Sequence, residues 1–219
     1  MLTAVQDPWI RWDWVGGHAD VILNALAQHV VLTVVAVAAG LVLSIPAGLL
    51  AARVRAARGP VLGTAGALYT IPSLALFAFL VPFTGLTVAT AEIGLIAYTL
   101  LILTRNVVVG IEGVPAEVKD AAAGMGFRRW RELVGVELPL ALPVIVAGVR
   151  IATVTTIGLV TVTAVIGEGG LGALILDGLD RQFRTPIVVG GILSVALAVV
   201  ADLLLAFTQR RLTPWSRTA

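Results

Sequence analysis

The stretch Val114–Pro143, VPAEVKDAAAGMGFRRWRELVGVELPLALP, decides how the rest of the chain is interpreted. It is a charged, helix-prone segment between long apolar runs. Pro115 favours a helix start, because proline tolerates the first helical position, where an N–H is not needed. The residues from Ala116 are strong helix formers, and Gly124 and Gly126 predict where that helix stops. A second short helix is expected over Arg128–Val134, giving two helices with a turn between them.

The flanking runs place this segment in a membrane protein. The chain has 219 residues, is 58% hydrophobic and 13% charged, and has a mean hydropathy of +1.00. Apolar runs recur at about the twenty residues that a helix needs to cross a bilayer. They do not alternate as barrel strands do. We therefore expect an all-α polytopic membrane protein, and the net charge of +2 gives no indication of nucleic-acid binding.

Five membrane spans are predicted in one domain, residues 21–208, between an N-terminal segment 1–20 and a tail 209–219. The spans cover about 21–52, 61–82, 86–109, 140–166 and 186–207, with a kink expected at Pro72 in the second. The charged segment forms a loop over about 112–138, and a glycine-rich loop begins at Gly167. That loop is either a short re-entrant helix or a flexible connection.

Positive charge predicts the orientation, since Lys and Arg concentrate in cytoplasmic loops. The segments expected on the other side hold only Arg11, Arg181 and Arg184. Ten basic residues lie on one side: Arg53, Arg55, Arg58, Lys119, Arg128, Arg129, Arg131, Arg210, Arg211 and Arg217. The charged loop and the C-terminus are thus expected in the cytoplasm, and the N-terminus outside.

The order Asp120-Ala121-Ala122, three residues, Gly126, nine residues, Val136, one residue, Leu138-Pro139 resembles a known signature. It is similar to the EAA motif (E-A-A-x3-G-x9-I-x-L-P) of permease subunits in bacterial ATP-binding-cassette (ABC) importers, with Asp for Glu and Val for Ile. The resemblance implies a MetI-like, type I ABC importer fold. It also implies that Asp120, Ala121, Ala122, Gly126 and Pro139 belong to a coupling helix that docks on a separate ATPase subunit.

Further stretches resemble the osmoprotectant branch of these permeases. They are Tyr69–Leu76 (YTIPSLAL), Thr104–Asn106 (TRN), Val136–Pro143 (VELPLALP) and Ile166–Gly172 (IGEGGLG). The likeness covers roughly residues 25–207. It implies ATP-driven import of glycine betaine, choline, carnitine or proline betaine by alternating access, at the bacterial cytoplasmic membrane. It also implies a second permease subunit, identical or related, and an extracytoplasmic substrate-binding protein. Another cargo, such as an amino acid, stays open.

The remaining polar residues suggest a path but no chemistry. The chain has no G-x-x-x-x-G-K-[ST] phosphate loop, so ATP would be bound by the partner subunit and no cofactor is expected here. No nucleophile–base constellation or metal-ligand cluster is evident, so we predict a permease and not an enzyme. Candidate path or gate residues are Tyr69, Thr70, Pro72, Ser73, Thr153 and Thr156. For any one of the Thr or Ser side chains, helix packing is the alternative role.

Arg150 in the fourth predicted span and Asp202 in the fifth are ionisable residues within apolar segments. Such residues normally mark a function or a paired charge. Each lies about 12–16 Å from the predicted cytoplasmic edge at 1.5 Å per helical residue. We therefore expect them to pair or to share one polar cavity, as a structural bridge or a gate.

Overall fold

The structure, a computed structural model, describes residues 8–217, and these are almost entirely helical. The predicted N-terminal segment 1–20 and tail 209–219 extend outside the described residues at 1–7 and 218–219. The helices are α1 Trp12–Gly17, α2 Ala19–Arg53, α3 Arg55–Thr70, α4 Ser73–Thr84, α5 Val88–Glu112, α6 Ala116–Gly124, α7 Arg129–Glu132, α8 Leu138–Val162, α9 Leu171–Asp180 and α10 Arg184–Leu212.

Within residues 8–217, four stretches are long and apolar enough to cross a membrane: Ala19–Arg53, Val88–Glu112, Arg129–Ile166 and Arg184–Leu212. They contain the first, fourth and fifth predicted spans and all but the first two residues of the third. The described part of the chain has no strand. The all-α polytopic fold class is therefore confirmed.

The second predicted span is not one kinked helix. α3 ends at Thr70 and α4 begins at Ser73, with a sharp bend between them. Ile71 (φ −66°, ψ 128°) and Pro72 (φ −57°, ψ 135°) are non-helical. The residue before a proline is pushed out of the α region, and proline has no N–H to continue the ladder, so Pro72 breaks this span. The structure thus has four candidate spans, or five if this bent pair counts as one.

The second helix of the charged segment also differs from the prediction. The separate helix expected over Arg128–Val134 is the start of a longer one, because α7 runs through a π-helical turn, Leu133–Glu137, into α8. In that turn Leu138 N–H donates to the Leu133 carbonyl, one residue further back than in an α-helix. Pro139, which has no N–H to donate, follows directly. The backbone hydrogen-bond pattern of the helix therefore shifts by one residue next to a position that already lacks a hydrogen bond.

One compact unit comprises residues 72–95, 154–200 and the N-terminal part up to Ala36, described from residue 8. Its buried cluster is Ile22, Leu171 and Leu174, against which Trp14 packs. Trp14 also meets the Phe183 ring edge-on at 5.7 Å. The N-terminal aromatic segment is therefore held to the protein by packing, at least from α1 onward.

The other unit comprises residues 37–71, 96–153 and the C-terminal part from Ala201. Its core joins the end of α5 to the start of α8. The buried members of this cluster are Val107, Ile111, Leu133, Ala141 and Ile145, with Leu41, Ile45 and Leu49 of α2 packed against them. The charged segment therefore begins and ends at a buried hydrophobic cluster.

Candidate coupling surface and intramembrane polar sites

The helix α6 begins and ends through local sequence signals. Pro115 lies directly before the first helical residue. It is therefore one position earlier than the first helical position, where the sequence predicted it. At the other end, Phe127 N–H donates to the Ala122 carbonyl at 3.1 Å and Gly126 N–H to that of Ala123 at 2.9 Å. Gly126 has φ +78°. These bonds form a Schellman stop with Gly126 as the left-handed residue, as its position predicts.

Only part of the signature lies at the surface. Asp120, Ala121 and Gly126 are exposed, Pro139 is half-buried, and Ala122 is 1% exposed. The resemblance assigned both Ala121 and Ala122 to the docking helix. Ala122 instead faces the interior, because residues one apart on a helix point about 100° apart. The exposed face of α6 is therefore narrower than the linear motif indicates.

Large apolar side chains follow α6 at the surface, a feature that the sequence interpretation missed. Met125 is 70% exposed, Phe127 38% and Trp130 72%. Arg128, Arg129 and Arg131 lie among them and are exposed too. Aromatic, Met and Arg residues are those enriched in protein–protein interfaces. The available signal was the three large apolar residues within 120–131, which lie next to basic residues. We define the coupling surface as the exposed residues of 120–131.

Electrostatic contacts hold the base of the coupling surface. Lys119 Nζ donates to the Ile111 carbonyl at 3.2 Å, where a cation complements the C-terminal end of α5. Arg53, the last residue of α2, lies 2.8 Å from the Glu137 carboxylate, whose side chain is only 8% exposed. Arg58 and Glu112 form a second pair at 2.5 Å. Both ends of the loop are thereby tied to neighbouring helices.

Arg150 and Asp202, which were expected to pair, meet in the structure. Arg150 Nε and Nη2 donate to the two carboxylate oxygens of Asp202, each at 2.9 Å. Arg150 Nη1 donates to Gln209 Oε1 at 3.2 Å, and Gln209 Nε2 donates to the Pro143 carbonyl at 3.0 Å. This network joins α8 to α10, and a bidentate pair of this kind has a defined geometry. Gln209 is a member that the sequence interpretation did not include.

The path candidates Tyr69 and Thr70 lie at the end of α3. The Tyr69 ring is 38% exposed and meets the ring of Tyr98 at 5.8 Å. The Tyr98 hydroxyl donates to the Ile71 carbonyl, so it satisfies a backbone group at the break before Pro72. Thr70 Oγ1 donates to the Ala67 carbonyl at 2.8 Å. Tyr98 therefore braces the helix end that carries these candidates.

The other path candidates are arranged differently. Ser73 is the first residue of α4, directly after Pro72. Thr153 Oγ1 donates to the Val149 carbonyl at 2.8 Å, within its own helix, and Thr156 is 1% exposed. The geometry of both threonines matches their alternative role in helix packing, and their role in a path stays a prediction.

The family of binding-protein-dependent transport system inner membrane components matches residues 44–214, more than three quarters of the chain. The glycine betaine/carnitine/choline transport system permease protein OpuCB of Bacillus subtilis (strain 168) is 35% identical over 88% of this chain and 89% of its own. The osmoprotectant import permease protein OsmW of Salmonella typhimurium is 37% identical over 90% and 94%.

Among solved structures, an inward-facing form of the MetNI methionine ABC transporter contains a chain of the same fold. Its TM-score is 0.82 at 21% identity, with 90% of this chain and 98% of that chain covered. At this identity the likeness concerns the fold alone, which is therefore MetI-like as the signature implied. The family match and the relatives identify this chain as a membrane transport component and not an enzyme. The fold agrees with that assignment. The chain belongs to the family of binding-protein-dependent transport system inner membrane components.

Proposed function

We propose that this chain is the permease subunit of an ABC importer that carries osmoprotectants of the quaternary amine type, such as glycine betaine, choline, carnitine and proline betaine. It works by alternating access and hydrolyses no ATP itself. Its partners are an ATPase, a second permease subunit and an extracytoplasmic binding protein, and no cofactor binds to this chain.

The observation that carries the proposal is the extent of the similarity. Relatives named for glycine betaine, carnitine and choline transport are 35–37% identical over 85–88% of this chain. They match it across nearly the full membrane region, so the likeness is not confined to the coupling signature. The exposed aromatic and basic residues of the coupling surface suit a docked partner protein.

The Arg150–Asp202 pair acts in this proposal as a structural bridge between α8 and α10. The Asp202→Asn substitution keeps the size of the side chain but removes its charge and one bidentate acceptor. We expect a lower melting temperature of the purified subunit and reduced uptake. Normal melting and normal uptake by the variant would show that the bridge has no such role.

An uptake assay in vesicles tests the proposed function. The permease is reconstituted with its copurifying ATPase and binding protein, with ATP supplied on the ATPase side. Labelled choline, glycine betaine and carnitine are compared with methionine and histidine. We expect ATP-dependent accumulation of the quaternary amines and little of the amino acids. Accumulation without ATP would instead indicate an ion-coupled transporter.

A second candidate is an ABC permease for another small solute such as an amino acid. It is favoured only by fold, since chains of a methionine transporter (TM-score 0.82) and of an amino acid transporter with histidines (TM-score 0.70) match at 21% and 17% identity. Selective accumulation of an amino acid in the same assay would establish this candidate.

A further inference from the structure

The glycine-rich loop between α8 and α9 lies against α2. A 3₁₀ turn, Thr163–Ile166, ends the long helix, and the loop runs from Gly167 to the start of α9 at Leu171. Gly170 has φ +50°, and a Cβ there would lie 2.8 Å from the Cβ of His29. Any side chain at position 170 would therefore clash with α2, so the close contact requires glycine.

Two consecutive side chains of α2 fix this loop. Gln28 Nε2 donates to Glu168 Oε2 at 2.8 Å, while Gly170 N–H donates to Gln28 Oε1 at 3.1 Å. His29 is fully buried, and its Nδ1 accepts from Leu171 N–H at 3.3 Å. The ring proton thus lies on Nε2, which donates to the Ile157 carbonyl at 3.0 Å. Both amide ends of Gln28 and both nitrogens of His29 are used.

The backbone of Glu168 is held as firmly as its side chain. Its N–H donates to the Thr163 carbonyl at 3.2 Å, and its carbonyl accepts from the Thr163 hydroxyl at 2.7 Å. The carboxylate orientation is therefore set before any ligand arrives. Its second oxygen, Oε1, makes no hydrogen bond and is not among the buried unsatisfied atoms of the described residues, so it is accessible.

No basic side chain in the described part of the chain forms an ion pair with this carboxylate. Among the described residues, none of the ion pairs includes Glu168. The basic residues of the same compact unit are engaged elsewhere: Arg11 with Asp13 at 3.1 Å, Arg181 with Asp177 at 2.7 Å, and Arg184 over the Trp9 ring at 5.2 Å. Glu168 therefore retains an uncompensated charge.

The charge lies in the loop that directly follows the candidate span Arg129–Ile166 and packs on α2. Its partner Gln28 is nine residues from the start of α2 at Ala19, about 14 Å along the helix. Burying a charge is costly unless the charge is paired, so this half-buried carboxylate without a basic partner is a candidate for binding a cation. A ligand with a positive charge would offset that cost.

We propose that the Glu168 carboxylate contacts the cationic head of the transported solute and sets the preference among quaternary amines. This inference rests on the proposed function. A quaternary ammonium has no N–H to donate, so charge attraction suits it better than a directional hydrogen bond. Choline carries a net positive charge, whereas the carboxylate of glycine betaine is repelled by Glu168. The residue therefore favours choline over the zwitterion.

The Glu168→Gln substitution tests this role, because glutamine keeps the size and an acceptor for Gln28 but loses the charge. Uptake of choline and of glycine betaine is measured in the reconstituted complex. We expect the ratio of choline uptake to glycine betaine uptake to fall about tenfold. The matched control is Asp177→Asn, which removes a charge from a partly exposed side chain of α9, and its ratio should stay within about twofold.

A second variant, Glu168→Asp, retains the charge on a shorter side chain and should recover part of the wild-type ratio. An unchanged ratio in Glu168→Gln overturns the inference. So does loss of complex assembly in Glu168→Gln that Glu168→Asp shares, because the residue would then be structural. If the wild-type complex imports neither compound, it is the proposed function that fails, and this outcome is distinct from the other two.

Discussion

At the scale of single residues, two carboxylates near the coupling surface meet arginines in different surroundings. Glu137 is 8% exposed and pairs with Arg53, whose side chain is 39% exposed. Glu112 is 37% exposed and pairs with Arg58, at 49%. A buried charge that loses its partner costs far more than an exposed one, because only the exposed group can be hydrated again.

We therefore predict an asymmetry at the buried pair. Arg53→Ala leaves the Glu137 carboxylate buried and unpaired, and should cost about 3–5 kcal/mol of stability. Glu137→Gln leaves the half-exposed Arg53 to solvent and should cost about 1–2 kcal/mol. Thermal melting of the purified subunit measures both changes. Arg58→Ala is the control, with an expected change below about 1 kcal/mol. Equal losses in the first two variants would contradict the argument.

At the scale of elements, the end of α6 depends on the backbone conformation of one glycine, Gly126, and not on the number of glycines nearby. Gly126 has φ +78°, whereas Gly124 is the last residue of α6. A Cβ at either position would meet nothing within 4 Å. The two sites therefore differ in backbone conformation and not in available space.

This pair of glycines allows a matched test. Gly126→Ala places a Cβ in the left-handed region and should cost about 1–2 kcal/mol locally. It should also weaken copurification of the ATPase, because the turn that carries Met125 and Phe127 is displaced. Gly124→Ala should be neutral or slightly stabilising, since alanine favours a helix by about 1 kcal/mol over glycine. ATPase pull-down and melting curves measure the two effects. Equal behaviour of the variants would exclude a role for the Schellman stop.

The break between α3 and α4 is another property of elements. Pro72 is visible in the sequence, and a kink was expected there. Whether a proline kinks a helix or ends it depends on what satisfies the freed backbone groups. Here the Tyr98 hydroxyl satisfies one of these backbone groups by donating a hydrogen bond to the Ile71 carbonyl. Tyr98 is 26 residues from Pro72, so local reading could not reveal it.

At the scale of the whole molecule, orientation in the membrane is a prediction from charge. It places the N-terminus outside and the coupling surface in the cytoplasm. The chain has no cysteine, so single cysteines can be introduced without a background signal. Gly16 has open space around it and Arg128 is exposed, and both suit labelling.

We expect a membrane-impermeant maleimide to label Gly16→Cys in intact cells and to label Arg128→Cys only after the membrane is opened. The physical reason is the excess of basic residues on the Arg128 side. Gel shift of the labelled protein is the measurement. Labelling of Arg128→Cys in intact cells would reverse the proposed orientation, including the side on which the ATPase docks.

Much of the site could be predicted because it is encoded locally. The end of α6 at Gly126 follows from the glycine and the residues beside it in the sequence. The span lengths follow from runs of apolar side chains. The Arg150–Asp202 contact was expected because charged residues in apolar spans have few alternatives to each other. In contrast, the inward position of Ala122 and the contact of Gln209 were not predicted, since the face that a helix turns inward depends on its neighbours.

The sequence by itself determined the helical class, the span positions other than the second, and the resemblance that the family match confirmed. It could do so because hydropathy and helix stops act over a few residues. Only the tertiary structure decided the division of the second span, the inward position of Ala122, and the pairing of Arg53 with Glu137 and of Gln28 with Glu168. Those partners lie 84 and 140 residues apart. Contacts over such separations are selected by packing of the whole helix bundle, which no local pattern records.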